Sequence, residues 1–190
     1  MQIGTYFDQT RCTGCFTCTV SCKDWHDIPA GPASWRPVKE SEKGKYPNVF
    51  VSYLIGGCWH CANPSCLTAC PVGAISKRAE DGVVLVDQEA CLGKDNCDMC
   101  LEACPYDSPQ FGAEENAKMQ KCNFCIDRLA EGKDPICVAG CPLRALDAGP
   151  IDSLKKKYGE AQEAEGFTYY AEVEPSVVFK PKPVPANVSC

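Results

Sequence analysis

Apolar residues along this chain come in short bursts, separated by polar stretches marked with glycine and proline. "NVFVSYLIGGC" (48 to 58) is a run of β-branched and aromatic residues closed by two glycines, and it predicts a strand leading into a cysteine loop. "GVVLVDQEAC" (82 to 91), with Gly82 and Asp87 around its β-branched core, predicts a second strand of the same kind. "GPIDSLKKKYGEAQEAE" (149 to 165) predicts a helix with Asp152 or Ser153 near its start. Between residues 28 and 47, "IPAGPASWRPVKESEKGKYP" has no periodicity and predicts an irregular connection. "VEPSVVFKPKPVPANVSC" (173 to 190) is too rich in proline to predict regular structure and reads as a partner-facing tail. There is no stretch of eighteen apolar residues to predict a membrane span. "MQIGTYFDQTRC" offers no basic segment followed by an apolar run, so no secretory signal is predicted either.

Composition changes the picture at one residue type. The 190 residues include 17 cysteines, alongside 15 glycines and 15 prolines that favour turns over long helices. At about 9% cysteine, the chain is a disulfide scaffold or a metal protein. Disulfides persist mainly in exported proteins, so the missing signal weighs toward metal. A formal charge of −6 argues against a nucleic-acid partner.

Sixteen of the seventeen cysteines fall into quartets. Cys12, Cys15, Cys18 and Cys22 are spaced C-x2-C-x2-C-x3-C, and Cys58, Cys61, Cys66 and Cys70 are spaced C-x2-C-x4-C-x3-C-P. Cys91, Cys97, Cys100 and Cys104 follow as C-x5-C-x2-C-x3-C-P, then Cys122, Cys125, Cys137 and Cys141 as C-x2-C-x11-C-x3-C-P. A structural zinc site takes two C-x2-C pairs and has no use for the shared C-x3-C ending. A cubane has: three thiolates on a tight loop grip one cluster, while the fourth leaves on a short helix to serve the other cluster of a pair. The pattern therefore predicts four [4Fe-4S] clusters, with zinc and disulfides as the readings it displaces. Because every ligand position is cysteine, no three-iron cluster is expected. The x5 spacing through "LGKDN" reads as a loop bulge, and Cys190 as a spare thiol outside any quartet.

A two-cluster ferredoxin unit repeats strand, cysteine loop and small helix. The strand at 82 to 91 joins groups two and three in that manner, giving one unit over residues 48–112. Groups one and four then form a discontinuous unit, 1–27 plus 113–148, with 28–47 as connection and 149–190 as C-terminal helix and tail. The expected fold class is α+β: two interleaved bacterial ferredoxin-like units with long loops and a C-terminal extension. If mates exchange their last cysteines, the ligand sets are Cys12, Cys15, Cys18 and Cys141; Cys22, Cys122, Cys125 and Cys137; Cys58, Cys61, Cys66 and Cys104; and Cys70, Cys91, Cys97 and Cys100. Pairing groups one and two instead would be simpler in sequence, but it ignores the strand that already joins two and three.

The order of the quartets, with "FDQTRCTGC", "CKDWH", "DGVVLVD", "CPYDSPQ" and "PICVAGCPLRALDAGPIDSLKKKYG", resembles the four-cluster electron-transfer subunits of complex iron-sulfur molybdoenzymes, the dimethyl sulfoxide reductase family. The similarity runs over about residues 3 to 158; the x5 spacing and the far tail depart from it without removing a ligand. It implies a non-catalytic subunit that conducts electrons between a large molybdenum- or tungsten-bis-pterin catalytic subunit and a membrane quinone-reactive anchor or other redox partner. The Cys12 cluster would lie nearest the pterin and the Cys91 cluster at the far end. It also implies membrane association through partners, on the periplasmic face after partner-dependent export or on the cytoplasmic one. A freestanding polyferredoxin shuttle is the alternative, which the helix and tail disfavour.

The remaining residues suggest no substrate chemistry. His26 and His60 read as packing or hydrogen-bonding groups beside clusters, and Trp25 and Trp59 as apolar shielding. Arg11, Lys23, Lys77, Arg78 and Arg144 flank the motifs as solvated charges that could bind a partner or raise a potential. Four cubanes at about −2 each take the formal −6 to roughly −14. Such charge needs backbone N–H groups aimed at sulfur, which glycine-bearing loops such as "CTGC" permit.

Overall fold

The computed structural model describes residues 1–186 and 188. Cys190, the spare thiol, lies outside the described residues.

Strand β1 (Ile3–Asp8) opens the chain and α1 (Thr17–Trp25) follows the first cysteine loop. β2 (Val38–Lys45) and β3 (Asn48–Ile55) form an antiparallel hairpin, with Val38 opposite Ile55 and Lys45 opposite Asn48. α2 (Ser65–Ala69), β4 (Ile75–Lys77), β5 (Val84–Val86) and α3 (Met99–Ala103) come next. α4 (Ile126–Ala130), α5 (Ile136–Ala139), β6 (Leu146–Pro150), α6 (Ile151–Tyr158) and β7 (Val177–Lys180) complete the order. The chain carries mixed short helices and strands, consistent with an α+β class.

Three small sheets organise these pieces. In the first, β1 runs between β6 and β7, antiparallel to β6 with Phe7 opposite Leu146, and parallel to β7 with Asp8 opposite Lys180. Every residue of β1 is buried, as expected of a central strand covered on both faces. On one face Tyr6 and Val178 pack with Leu154 of α6, and Tyr6 stacks on Tyr158 with ring centroids 3.6 Å apart. On the other, Phe7, Leu146, Val177 and Phe179 meet Trp59 and Phe167 in the largest apolar cluster. β4 and β5 form a separate antiparallel ladder, Ile75 opposite Val86, over a second core of Val84, Phe111 and Met119. α1 packs against α5, and α2 against α3.

The predicted strands at 48 to 58 and 82 to 91 are β3 and β5. Three other expectations need correction. Residues 28–47 are not irregular throughout, because β2 occupies Val38–Lys45. "VKESEKGK" has too few apolar residues to show a face; what holds it is the backbone ladder to β3. The C-terminal tail likewise contains β7, with Val177, Val178 and Phe179 wholly buried. Pro175 and Pro181 fall outside the strand and so remove none of its ladder bonds. Finally, the helix predicted for 149 to 165 stops at Tyr158, where Gly159 takes φ +93°. The segment beyond is held by tertiary bonds: Phe179 N–H donates to the Ala161 carbonyl at 2.7 Å, and Gln9 Nε2 to that of Glu165 at 2.9 Å.

Candidate metal centre

None of the sixteen quartet cysteines is in a disulfide, and residues from distant parts of the chain line common pockets. Helix α1 begins the sorting. Phe16 takes a left-handed conformation (φ +59°) and turns the loop into the helix. Cys18 and Cys22 then stand one turn apart, both buried, and serve different pockets.

The first pocket is lined by Cys12, Cys15, Cys18 and Cys141 among Phe7, Val38, Ile55 and Leu146. The second holds Cys22, Cys122, Cys125 and Cys137 with His26, Arg36 and Phe124. Another, bounded by Ile75, Val86 and Met119, holds Cys70, Cys91, Cys97 and Cys100, so the x5 loop does bring Cys91 alongside its neighbours. Cys61 is surrounded by Cys58, Cys104 and Cys66, which completes the fourth group. Charges of neighbouring groups act on one another in series. Cys18 feels Cys137, Cys58 feels Cys122, and Cys66 feels Cys100.

Burial dominates the electrostatics of these thiols. It pushes Cys18 and Cys100 up to about 11, and Cys66 and Cys125 up to about 12, with neighbouring thiolates adding to the rise. Cys22, Cys58, Cys61 and Cys137 are raised by the same cause. Cys15, exposed, moves the other way, because Thr17 donates from its hydroxyl and backbone. Without metal the groups so raised stay protonated at neutral pH, so loading iron must displace protons and supply the positive charge that makes thiolates tolerable there.

The surroundings fit a cubane. Backbone donors reach sulfur from Phe124 to Cys122 at 3.4 Å and from Ala145 to Cys141 at 3.3 Å. Gly14, at φ +68°, lets the first loop curl toward Cys12, whose sulfur its N–H approaches. An added Cβ there would sit 2.4 Å from the Tyr53 ring. A zinc ion with Zn–S bonds of about 2.3 Å would draw its sulfurs to about 3.8 Å of one another. Among the described residues no group of three or more His, Cys, Asp or Glu is placed to hold a single metal ion.

Other residues read from the sequence sort by burial. Trp59 is buried in the main core beside the cluster pockets, whereas Trp25 is 42% exposed, its Nε1 donating to Asp127 at 2.7 Å and Arg128 over its ring. Shielding is thus corrected for Trp25: it sits on the outer turn of α1, turned to solvent and to α4. His26 places Nε2 3.2 Å from Cys125 Sγ. His60 is fully buried, with Nδ1 accepting from the Val84 N–H at 3.0 Å and burial holding it neutral. Lys77 braces the second loop by donating to the carbonyls of Cys61 and Ala62. Arg78 pairs with Glu80 and Asp81, and Arg11 with Asp8. Two cations went unforeseen, Arg36 and Lys121, both buried among the thiols. Arg36 lies in the proline-marked connection with no motif around it. Lys121 directly precedes Cys122, and that adjacency was a readable signal.

Comparison with known proteins points to the same iron-sulfur chemistry. Residues 49–151 and 11–74 each match a family described as "4Fe-4S dicluster domain". Over 188 residues the sequence is 45% identical to the B subunit of anaerobic dimethyl sulfoxide reductase of Escherichia coli (strain K12), covering 95% of this protein and 89% of that one. It is 40% identical over 151 residues to the thiosulfate reductase electron transfer subunit PhsB of Salmonella typhi, covering 76% and 74%. With the formate dehydrogenase-O iron-sulfur subunit of Escherichia coli (strain K12) it shares 35% identity over 172 residues, 81% of this protein and 55% of the relative.

Proposed function

This protein belongs to the family of iron-sulfur electron-transfer subunits that includes the B subunit of dimethyl sulfoxide reductase, and on that premise we propose a specific wiring for its four [4Fe-4S] clusters. Cys12, Cys15, Cys18 and Cys141 bind the first, and Cys22, Cys122, Cys125 and Cys137 the second. Cys58, Cys61, Cys66 and Cys104 bind the third, and Cys70, Cys91, Cys97 and Cys100 the fourth. The observation that carries this is the splitting of α1: Cys18 faces Cys12 and the Cys141 pocket, while Cys22, one turn on, faces Cys122, Cys137 and Cys125. The same exchange supports two interleaved ferredoxin-like units, 1–27 with 113–148 and 48–112, joined by 28–47 and followed by 149–190. The pairing of β1 with β6 and of β4 with β5 favours that division. The family matches instead run contiguously along the sequence and cross it.

When bound, the clusters supply one-electron transfer between close neighbours. The protein's part is to fix their order, exclude water and set their surroundings. Charge interactions between thiols of successive groups support the order first, second, third, fourth. Phe7, Ile55, Leu146, Trp59 and Met119 keep the pockets dry, and N–H donors stabilise charge on sulfur. The relatives are iron-sulfur or electron transfer subunits, and this is a non-catalytic subunit of an oxidoreductase complex. Its proposed partners are a large molybdenum- or tungsten-bis-pterin catalytic subunit at the Cys12 end and a membrane quinone-reactive anchor at the Cys91 end. Membrane association would come through those partners, since no described helix is long and apolar enough to cross a bilayer.

Single serine replacements test the wiring by electron paramagnetic resonance of the reduced protein. Cys141→Ser and Cys15→Ser should alter one and the same cluster signal, and Cys22→Ser and Cys125→Ser a second. If Cys141→Ser and Cys125→Ser alter the same signal, the wiring is wrong. Stoichiometric co-purification with a large pterin-containing polypeptide is the expected partner result.

A further inference from the structure

Two cations lie deep within the relay. Arg36 is 3% exposed and Lys121 2%. Among the described residues neither pairs with a carboxylate. The Arg36 guanidinium donates to the Gly56 carbonyl at 3.3 Å and to Cys122 Sγ at 3.9 Å, 5.9 Å from the Trp59 ring. Lys121 Nζ donates to the carbonyls of Val84 and Cys122. A buried cation without a counter-charge is costly, and arginine cannot shed its proton to escape the cost. Once iron is bound, the counter-charge within reach is cluster thiolate.

Their positions are specific. Arg36 is acted on by Cys137, Cys122, Cys22 and Cys18, thiols of the second and the first pockets. Lys121 touches the Cys122 backbone in the second group and acts on Cys58 and Cys66 in the third. Each cation therefore stands at a junction between two successive groups. The last junction, where Cys66 meets Cys100, is packed by Val84, Phe111 and Met119; Lys121 reaches only its Cys66 side, and on the far side Lys118, half-buried, donates to the Cys91 carbonyl at 2.8 Å.

We propose that Arg36 and Lys121 are junction charges that hold reduction potentials up, Arg36 at the first and second clusters and Lys121 at the second and third. One-electron reduction takes a cubane from about −2 to about −3 with no bond broken. A fixed cation at close range in a dry interior stabilises the more negative state more strongly, so the potential rises. Because each cation is shared, both members of a pair rise together, and the step between them stays shallow. The fourth cluster lies beyond the reach of these two cations; its own neighbour is Lys118, half-buried at the Cys91 carbonyl.

The inference rests on the wiring proposed above, and one experiment separates the two. The full-length, cluster-loaded protein is titrated with redox mediators and followed by electron paramagnetic resonance. Fewer than four one-electron components in the wild type would fail the wiring, whatever the cations do. Arg36→Gln should lower the potentials of the Cys15 and Cys125 components by at least a tenfold change in oxidised-to-reduced ratio, about 59 mV for a one-electron couple. Lys121→Gln should lower those of Cys125 and Cys61 alike, and the Cys97 component should move in neither variant. Arg36→Lys and Lys121→Arg keep the charge and should recover most of each shift. No shift, an equal shift of all four, or a charge-keeping variant that behaves like glutamine would overturn the proposal. Should a glutamine variant lose iron, the charge-keeping partner decides. Retained iron supports the electrostatic role, and equal loss assigns the residue to packing and overturns it.

Discussion

His26 Nε2 stands 3.2 Å from Cys125 Sγ, tying the C-terminal end of α1 to the loop that enters α4. Burial holds His26 below its usual range, so near pH 7 the imidazole is neutral and can donate one N–H to a thiolate. On the proposed assignment of Cys125 to the second cluster, that bond would stabilise the reduced form. His26→Phe should therefore lower that cluster's potential by a tenfold or smaller change in oxidised-to-reduced ratio, up to about 59 mV. The other three potentials should hold still in the same redox titration.

Gly14 is required by its conformation. At φ +68° an alanine is strained by about 1–2 kcal/mol, and its Cβ would lie 2.4 Å from Tyr53 Cε1. Gly14→Ala should deform the Cys12–Cys15 loop, so that the purified protein lacks about four of its sixteen irons while absorbance near 400 nm falls in proportion.

Phe179 anchors β7 in the main core, its ring 4.7 Å from Phe167 and 5.9 Å from Trp59. Phe179→Ala should cost about 3–5 kcal/mol, a large share of an ordinary domain's stability. The expected readout is a lower guanidinium midpoint for both cluster bleaching and loss of secondary structure. A cluster-proximal but partner-facing tail would leave that midpoint unmoved.

Asp8, opposite Lys180, ties β1 to β7. Burial pushes its carboxyl up, but bonds from the Thr10 hydroxyl (2.5 Å) and N–H (2.9 Å), with Lys180 at 3.3 Å, outweigh this and hold it below the usual range. A depressed folded-state pKa means the unfolded polypeptide takes up its proton first as pH falls. Its contribution is thus fully present above about pH 3.9, and is lost as pH drops through the folded value. Asp8→Asn should destabilise the protein at pH 7 by about 1–3 kcal/mol. The gap between wild type and variant, measured by denaturant midpoint, should narrow below about pH 4.

The cysteine register was legible from residue spacing because a cubane loop demands its ligands at short, fixed offsets. The strands β3 and β5 were equally plain, since β-branched runs before a cysteine loop have few other readings. β1, β6 and β7 were not, because their pairing joins Ile3 to Pro150 and Asp8 to Lys180, and no local pattern announces a partner so distant. β2 hid for the opposite reason: a polar strand held by backbone bonds shows no apolar alternation. Arg36 marks the limit most clearly. Its sequence neighbours are Trp35 and Pro37, yet its charge neighbours are Cys137, Cys122, Cys22 and Cys18. The residue types alone determined which chemistry the protein can hold. Only tertiary packing, which excludes water and fixes long-range distances, decided which thiols meet and where the two buried cations stand among them.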